Sequence, residues 1–258
     1  MDATQLLKPR ARKVAQWARK RSGLVGRSGR TVEQLEQCLS LNQLQRFEVL
    51  LNRHGRSLWG CASIFEFGCG DGRLLEPLFE LLPQAAISGC DVQAALVAEC
   101  RRRYPRGAFL HNQVLPPLPV ADAAHDFIYS YSVFTHLSEP AHKAWLRELA
   151  RVLRPGGVAL HTVHSHAYLR RTAAFSPERM DKYRFSEPVE AFLASGPGYY
   201  YAVEDLSNPE YGHTLMTREY VQETWPRESG LELVEYVEGA IEAYPEGCQD
   251  LVMLRKAG

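Results

Sequence analysis

From Leu41 to about Ser165 the chain alternates strand-like and helix-like segments in strict turn, and that alternation leaves few folds open. "SIFEF" (63–67), "AAISGCD" (85–91), "GAFLHN" (107–112), "HDFIYSYS" (125–132) and "GVALHTVH" (157–164) are short apolar runs of strand length. Between and before them stand "LNQLQRFEVLLNRHG", "RLLEPLFELL", "VQAALVAECRRRYP" and "EPAHKAWLRELARVLRPGG", with apolar residues at helical spacing and Gly or Pro exits. The pattern predicts an α/β fold, a parallel sheet covered by helices on both faces. Beyond residue 165 come an aromatic- and proline-rich stretch, a helix near 217–229, and two strand-like runs, "LELVEYVEG" and "QDLVMLRK". The turn-rich "AIEAYPEGC" is expected to join those last two.

Three glycines in five positions, Gly68, Gly70 and Gly72, follow the first strand. In open α/β sheets ligands bind beyond the carboxyl ends of the strands, and a bare loop there lets a cofactor approach the backbone. The spacing is Glu66-x-Gly68-x-Gly70-x-Gly72; Arg73 removes the dinucleotide pattern GxGxxG, and no GK[ST] follows for a P-loop. Glu66 interrupts an apolar strand, where an unpaired carboxylate is costly. It is either a surface acid or a partner for the loop amides or a cofactor cation. Asp91 ends the second strand, either as the cap of the following helix or as a ligand group.

This arrangement resembles the first motif of class I S-adenosylmethionine-dependent methyltransferases, an acid followed by GxGxG after strand 1. "PLPVADAAHDFIYSYSVFTHL" (117–137), "LRELARVLRPGGVALHT" (146–162) and a final pair of strands, the last antiparallel, continue the resemblance over about 41–165 and 215–256. It implies a Rossmann-like, mostly parallel seven-stranded sheet with S-adenosylmethionine as cofactor and S-adenosylhomocysteine as product. It implies cofactor contacts from Glu66, Gly68, Cys69, Gly70, Gly72, Asp91 (on the ribose hydroxyls), Val92, Ser132 and Asn112, with Gln113 equally placed to reach the adenine. The "SVFTHL" stretch resembles bacterial enzymes of sugar, glycolipid and secondary-metabolite pathways, implying a hydroxyl oxygen as acceptor. The rival readings are a nucleotide-dependent oxidoreductase and a non-catalytic methyltransferase-like binding module.

An alcohol acceptor needs a base, and histidine has a suitable pKa. His136 follows strand 4, and His161 and His164 lie along and after strand 5; each has a catalytic and a structural reading, with His161 and His164 leaning to the structural. His54, His125 and His142 are expected at the surface. About 67 residues separate the fifth strand from the last strand pair, where one helix and its loops need fewer than half. An inserted lid is therefore expected at about 166–215, its aromatic residues and His213 facing the acceptor; Phe134, Tyr199 and Tyr200 are the further acceptor candidates. No "NPPY" or "DPPY" follows strand 4, and no spaced Asp/Asn trio suggests a metal.

Charge divides the chain. Lys+Arg and Asp+Glu are 30 each, yet residues 1–30 hold nine basic side chains against Asp2 alone. Residues 1–40 read as a basic helical arm before a methyltransferase-like domain at 41–258. The arm is expected first to cap the substrate cleft and second to touch an anionic membrane surface; a nucleic-acid contact and a solvated arm are the remaining readings, and no nucleic-acid partner is expected. No apolar run approaches the ~20 residues of a membrane span. Six cysteines without a CxxC pair suit reduced thiols and a cytoplasmic location.

Overall fold

The computed structural model describes residues 39–175, 198–204, 206–244 and 247–258, with positions 191, 194 and 196 between them. Residues 1–38 of the expected basic arm lie outside the described residues, and with them the expectations of a cap or a membrane contact; the last two open the first described helix. No described helix is long and apolar enough to cross a membrane.

Helix α1 (Leu39–Arg53) leads into β1 (Ser63–Phe67), α2 (Leu75–Leu81), β2 (Ala86–Asp91), α3 (Ala94–Arg103), β3 (Ala108–His111) and β4 (His125–Ser130). Then follow α4 (Glu139–Val152), β5 (Leu153–Val163), α5 (His166–Phe175), β6 (Tyr199–Val203), β7 (Gly212–Met216), α6 (Arg218–Ser229), β8 (Glu232–Tyr244) and β9 (Gly247–Arg255). Seven strands form one sheet in the order β3-β2-β1-β4-β5-β9-β8. The first five pair in parallel, and β9 runs antiparallel to both neighbours.

Burial explains why the strands read as continuous apolar runs rather than as an alternation. Successive side chains point to opposite faces, and both faces are covered. Ile64, Phe127, Tyr129, Val158 and Leu160 pack under α1, α2 and α3, while Phe65, Phe67, Ile128 and Ala159 pack under α4 and α6. Trp145 of α4 and Trp225 of α6 are fully buried on that second face. The chain steps from β1 outward to β2 and β3, then returns to the other side of β1 as β4. That reversal opens a crevice between the carboxyl ends of β1 and β4.

Three segments depart from expectation. Residues 166–175 are helical, which the aromatic and proline content of that stretch does not specify. The turn expected at 240–248 is mostly strand: β8 continues to Tyr244, with Ile241 paired to Gln249 and Glu242 to Cys248. A register shift between Val237 and Ile241 makes the extension possible, since Gly239 takes φ +59° and its amide donates to Asp250 Oδ1 at 2.7 Å. The third departure is a separate antiparallel hairpin, β6–β7, within the expected insertion.

That hairpin is seated on the carboxyl ends of β4 and β5. Thr214 N donates to Thr135 O (2.9 Å), Met216 N to His164 O (3.0 Å), and Thr214 Oγ1 to Leu137 O (2.6 Å).

Candidate active site

The loop after β1 turns sharply, and its glycines do different work. Gly68 sits at φ +76°, and a Cβ there would lie 2.3 Å from Val133 Cγ2 in the loop after β4. Gly70 sits at φ +53° with nothing within 4 Å of such a Cβ, so its bare face opens on free space. Gly72 is blocked by Tyr104 and Cys100. The loop amides have acceptors of their own: Gly68 N and Cys69 N donate to Cys90 O (2.9 and 2.8 Å), and Gly70 N donates to Asp91 Oδ2 (2.9 Å).

Asp91 therefore fixes the loop, and its Oδ1 also accepts from Gln93 N at 2.8 Å, the helix-start role. Each oxygen keeps a lone pair, and Asp91 lines the crevice together with Val92, Gly68, Asn112 and Ser132. Asn112 Oδ1 and Glu66 Oε2 are buried in this neighbourhood without a hydrogen-bond partner. Glu66 does not bond the loop amides, and it is not a surface acid, being 2% exposed. Burial pushes its carboxyl well above the usual range, and Tyr129 opposes the shift. A cation beside it would favour ionisation. An ammonium for Glu66, a diol for Asp91 and an exocyclic amine for Asn112 Oδ1 are groups that S-adenosylmethionine carries, so the residues fit that cofactor. Cys69 sits within the loop with a buried thiol, pushed up by burial.

Two adjoining clefts, of about 210 and 280 Å³, meet at Gly68 and Tyr131. The larger holds Glu66, Gly70 and Arg73; the smaller runs from Asp91 to His136, Leu137 and the connection between β6 and β7, which contributes Asn208, Glu210 and Tyr211. Among the described residues no group of three His, Cys, Asp or Glu side chains is placed to hold a metal ion.

His136 has a defined tautomer. Its Nδ1 lies 2.8 Å from Gly212 O, and a carbonyl only accepts, so Nδ1 carries the hydrogen and Nε2 is left with its lone pair. The ring stacks on Tyr211 (centroids 4.9 Å apart, 10° between planes) and meets His213 edge-on at 5.6 Å. Burial lowers its pKa below the ordinary value, the Gly212 carbonyl and Glu204 opposing the shift, so the ring is neutral at pH 7.

The two other catalytic candidates, His161 and His164, are interior. His161 lies under Phe134 and Trp225 with Nδ1 2.8 Å from Ser130 Oγ, and burial lowers its pKa to about 3. His164 stacks on Tyr168 at 3.6 Å. His142 and His125, expected at the surface, are buried: His142 packs edge-on against Phe134, Tyr199 and Trp225, and His125 stacks on Phe65. His54 is half-exposed and paired with Glu235. Phe134 and Tyr199 also belong to the packing around α4, Tyr199 donating its hydroxyl to Leu137 O at 2.7 Å, and neither lines the cleft. Tyr200 is half-buried on β6, and His213 flanks His136 with Nε2 3.6 Å from Glu204.

Ser132 takes φ +59°, rare for a residue with a side chain, where the chain leaves β4. Thr162 Oγ1 accepts from its amide at 2.8 Å, and Gln249 Nε2 donates to its hydroxyl at 2.7 Å. Sequence patterning did not single out Thr162, Gln249, Asn208 or Glu210. The available signal was the Asn-Pro-Glu turn just before Gly212, which places polar side chains at a hairpin tip.

A family model described as a methyltransferase domain matches residues 64–157. The chain is 29% identical over 223 residues to trans-aconitate 2-methyltransferase of Methylobacterium nodulans, covering 75% of this chain and 83% of that one. It is 35% identical over 116 residues to a probable S-adenosylmethionine-dependent methyltransferase of Mycolicibacterium smegmatis, covering 45% of this chain and 43% of that one. Among solved structures, the 1,6-didemethyltoxoflavin-N1-methyltransferase of Burkholderia thailandensis, with S-adenosylhomocysteine bound, shares the fold at TM-score 0.55 and 15% identity, covering all of this chain and 94% of that one.

Proposed function

Because the chain belongs to the class I S-adenosylmethionine-dependent methyltransferases, we propose that it methylates a hydroxyl oxygen of a neutral small molecule, with His136 as the base. The family removes the oxidoreductase reading. Bound S-adenosylmethionine supplies an activated methyl group on a good leaving group, so the protein's share is orientation and removal of the acceptor's proton. One observation carries the reading: Gly212 O holds His136 Nδ1–H, which leaves a neutral Nε2 able to accept a proton in the same cleft as Asp91 and Gly68. A histidine so placed also speaks against a non-catalytic module.

A carboxyl oxygen is the second reading, favoured by the name of the Methylobacterium nodulans relative. A carboxylate acceptor is already deprotonated and needs no base, and it asks for cations. Among the described residues lining the cleft with His136 there is neither Lys nor Arg. Methyl-labelled cofactor, offered to the full chain with a panel of methyl glycosides and phenols and with trans-aconitate, separates the two. Methylation of a neutral hydroxyl, reduced about 10²–10⁴-fold by His136→Gln, is expected. Methylation of trans-aconitate at a rate that His136→Gln leaves unchanged would overturn the proposal.

A further inference from the structure

Building on that reading, we infer that Glu210 is the specificity-determining residue of the acceptor site: it closes the cleft to polycarboxylates and accepts a hydrogen from a neutral acceptor. Glu210 stands in the turn between β6 and β7, and it lines the cleft with Asn208, Tyr211 and His136. Its place is fixed twice. Ser138 Oγ donates to Glu210 Oε2, and Ser138 N donates to Glu210 O at 3.1 Å. Ser138 is itself rigid, being the N-cap of α4 with its hydroxyl accepting from Ala141 N. A carboxylate held by one oxygen at a helix start presents the other as an acceptor without further ordering.

Charge then decides what can approach. The formally charged side chains lining this cleft among the described residues are Asp91 and Glu210, both acidic. Asp91 holds the glycine loop, so the acid that remains on the acceptor side is Glu210. An acceptor bearing several carboxylates would set like charges together in a partly water-excluded space, which selects against it. A hydroxyl-bearing acceptor meets no such penalty, since each hydroxyl can donate to a carboxylate. The relative whose name specifies a tricarboxylate acceptor is only 29% identical to this chain.

The test uses the full chain saturated with S-adenosylhomocysteine and titrated calorimetrically with the same tricarboxylate. Wild type is expected to show no binding tighter than about 1 mM, and Glu210→Gln and Glu210→Lys to bind progressively better, by at least about tenfold for the lysine. Unchanged S-adenosylhomocysteine affinity in both variants reports that the site is intact. Sub-millimolar binding by wild type, or no gain in either variant, would overturn the inference. Loss of the His136 reading looks different: wild type would still refuse the tricarboxylate, while His136→Gln would leave methylation of the neutral panel unaffected.

Discussion

Gly212 and His136 hold one another through two hydrogen bonds of 2.8 Å: Gly212 N–H donates to the His136 carbonyl, and His136 Nδ1–H donates to the Gly212 carbonyl. The first seats the hairpin on the loop after β4, and the second sets the tautomer of the ring. One contact thus ties hairpin docking to the state of the proposed base. A Cβ at position 212 would lie 2.1 Å from Ala202 O, so the strand must move to admit one. Gly212→Ala is expected to lower methyl transfer at least about tenfold, part of the full contribution of a placed base, while S-adenosylhomocysteine affinity stays near wild type. Wild-type turnover in this variant would separate the hairpin from the chemistry.

The pH dependence follows from the same ring. Burial is the largest influence on His136 and lowers its pKa below the ordinary histidine value of 6.5. A base must be unprotonated to act, so the lowered pKa keeps the ring mostly competent at pH 7, and competence is lost as pH falls through a pKa below 6.5. The acid limb of kcat/KM for the free enzyme is therefore expected to have its midpoint below 6.5 and to vanish in His136→Gln. A limb centred at or above 6.5, or one that survives the substitution, would assign it to another group.

Two glycines of one loop are expected to fail in different ways. Gly68→Ala forces a methyl group against Val133, so thermal stability and cofactor binding should fall together. Gly70→Ala meets no protein atom and carries only the cost of its positive φ, about 1–2 kcal/mol. It should melt nearer to wild type yet lose more affinity for S-adenosylhomocysteine than its stability loss explains. Equal melting losses in the two variants would contradict the distinction. Asp91→Ala should weaken the same ligand by at least about tenfold, with calorimetry as the measure for all three.

How far the sequence carries the reader depends on whether a signal is local. The glycine loop, the acid ending β2 and the apolar runs of β1, β4 and β5 are local, and parallel strands buried on both faces write themselves as continuous hydrophobic segments. The bulge at Gly239 is not, because it depends on Asp250 in the next strand taking the freed amide. Nor is the acceptor wall: Glu210 acquires its place from Ser138, 72 residues away in the chain. His142 is the instructive intermediate. It lies four residues before Leu146 and three before Trp145, on the buried stripe of α4, so its spacing signalled the interior while its chemistry suggested the surface.

Burying histidines has a measurable consequence in acid. His142 and His161 are enclosed with Phe134 and Trp225, and burial lowers the pKa of each from 6.5 to about 3. Between those values the unfolded chain binds a proton on each ring and the folded chain does not. Stability therefore rises with pH across this window, and it is lost as pH falls from 6.5 toward 3. Well below 6.5 each ring contributes a slope of about 1.4 kcal/mol per pH unit. His142 Nε2 has no partner in the structure, so an apolar ring at that position sacrifices little beyond the contact of Nδ1 with Tyr199. His142→Phe is expected to melt near wild type at pH 7.5 and to fall less steeply between pH 6 and 4.5, by one histidine's share. Parallel acid slopes for the two proteins would mean that the ring takes up its proton in the folded state, and the enclosure around Trp225 would have to admit charge.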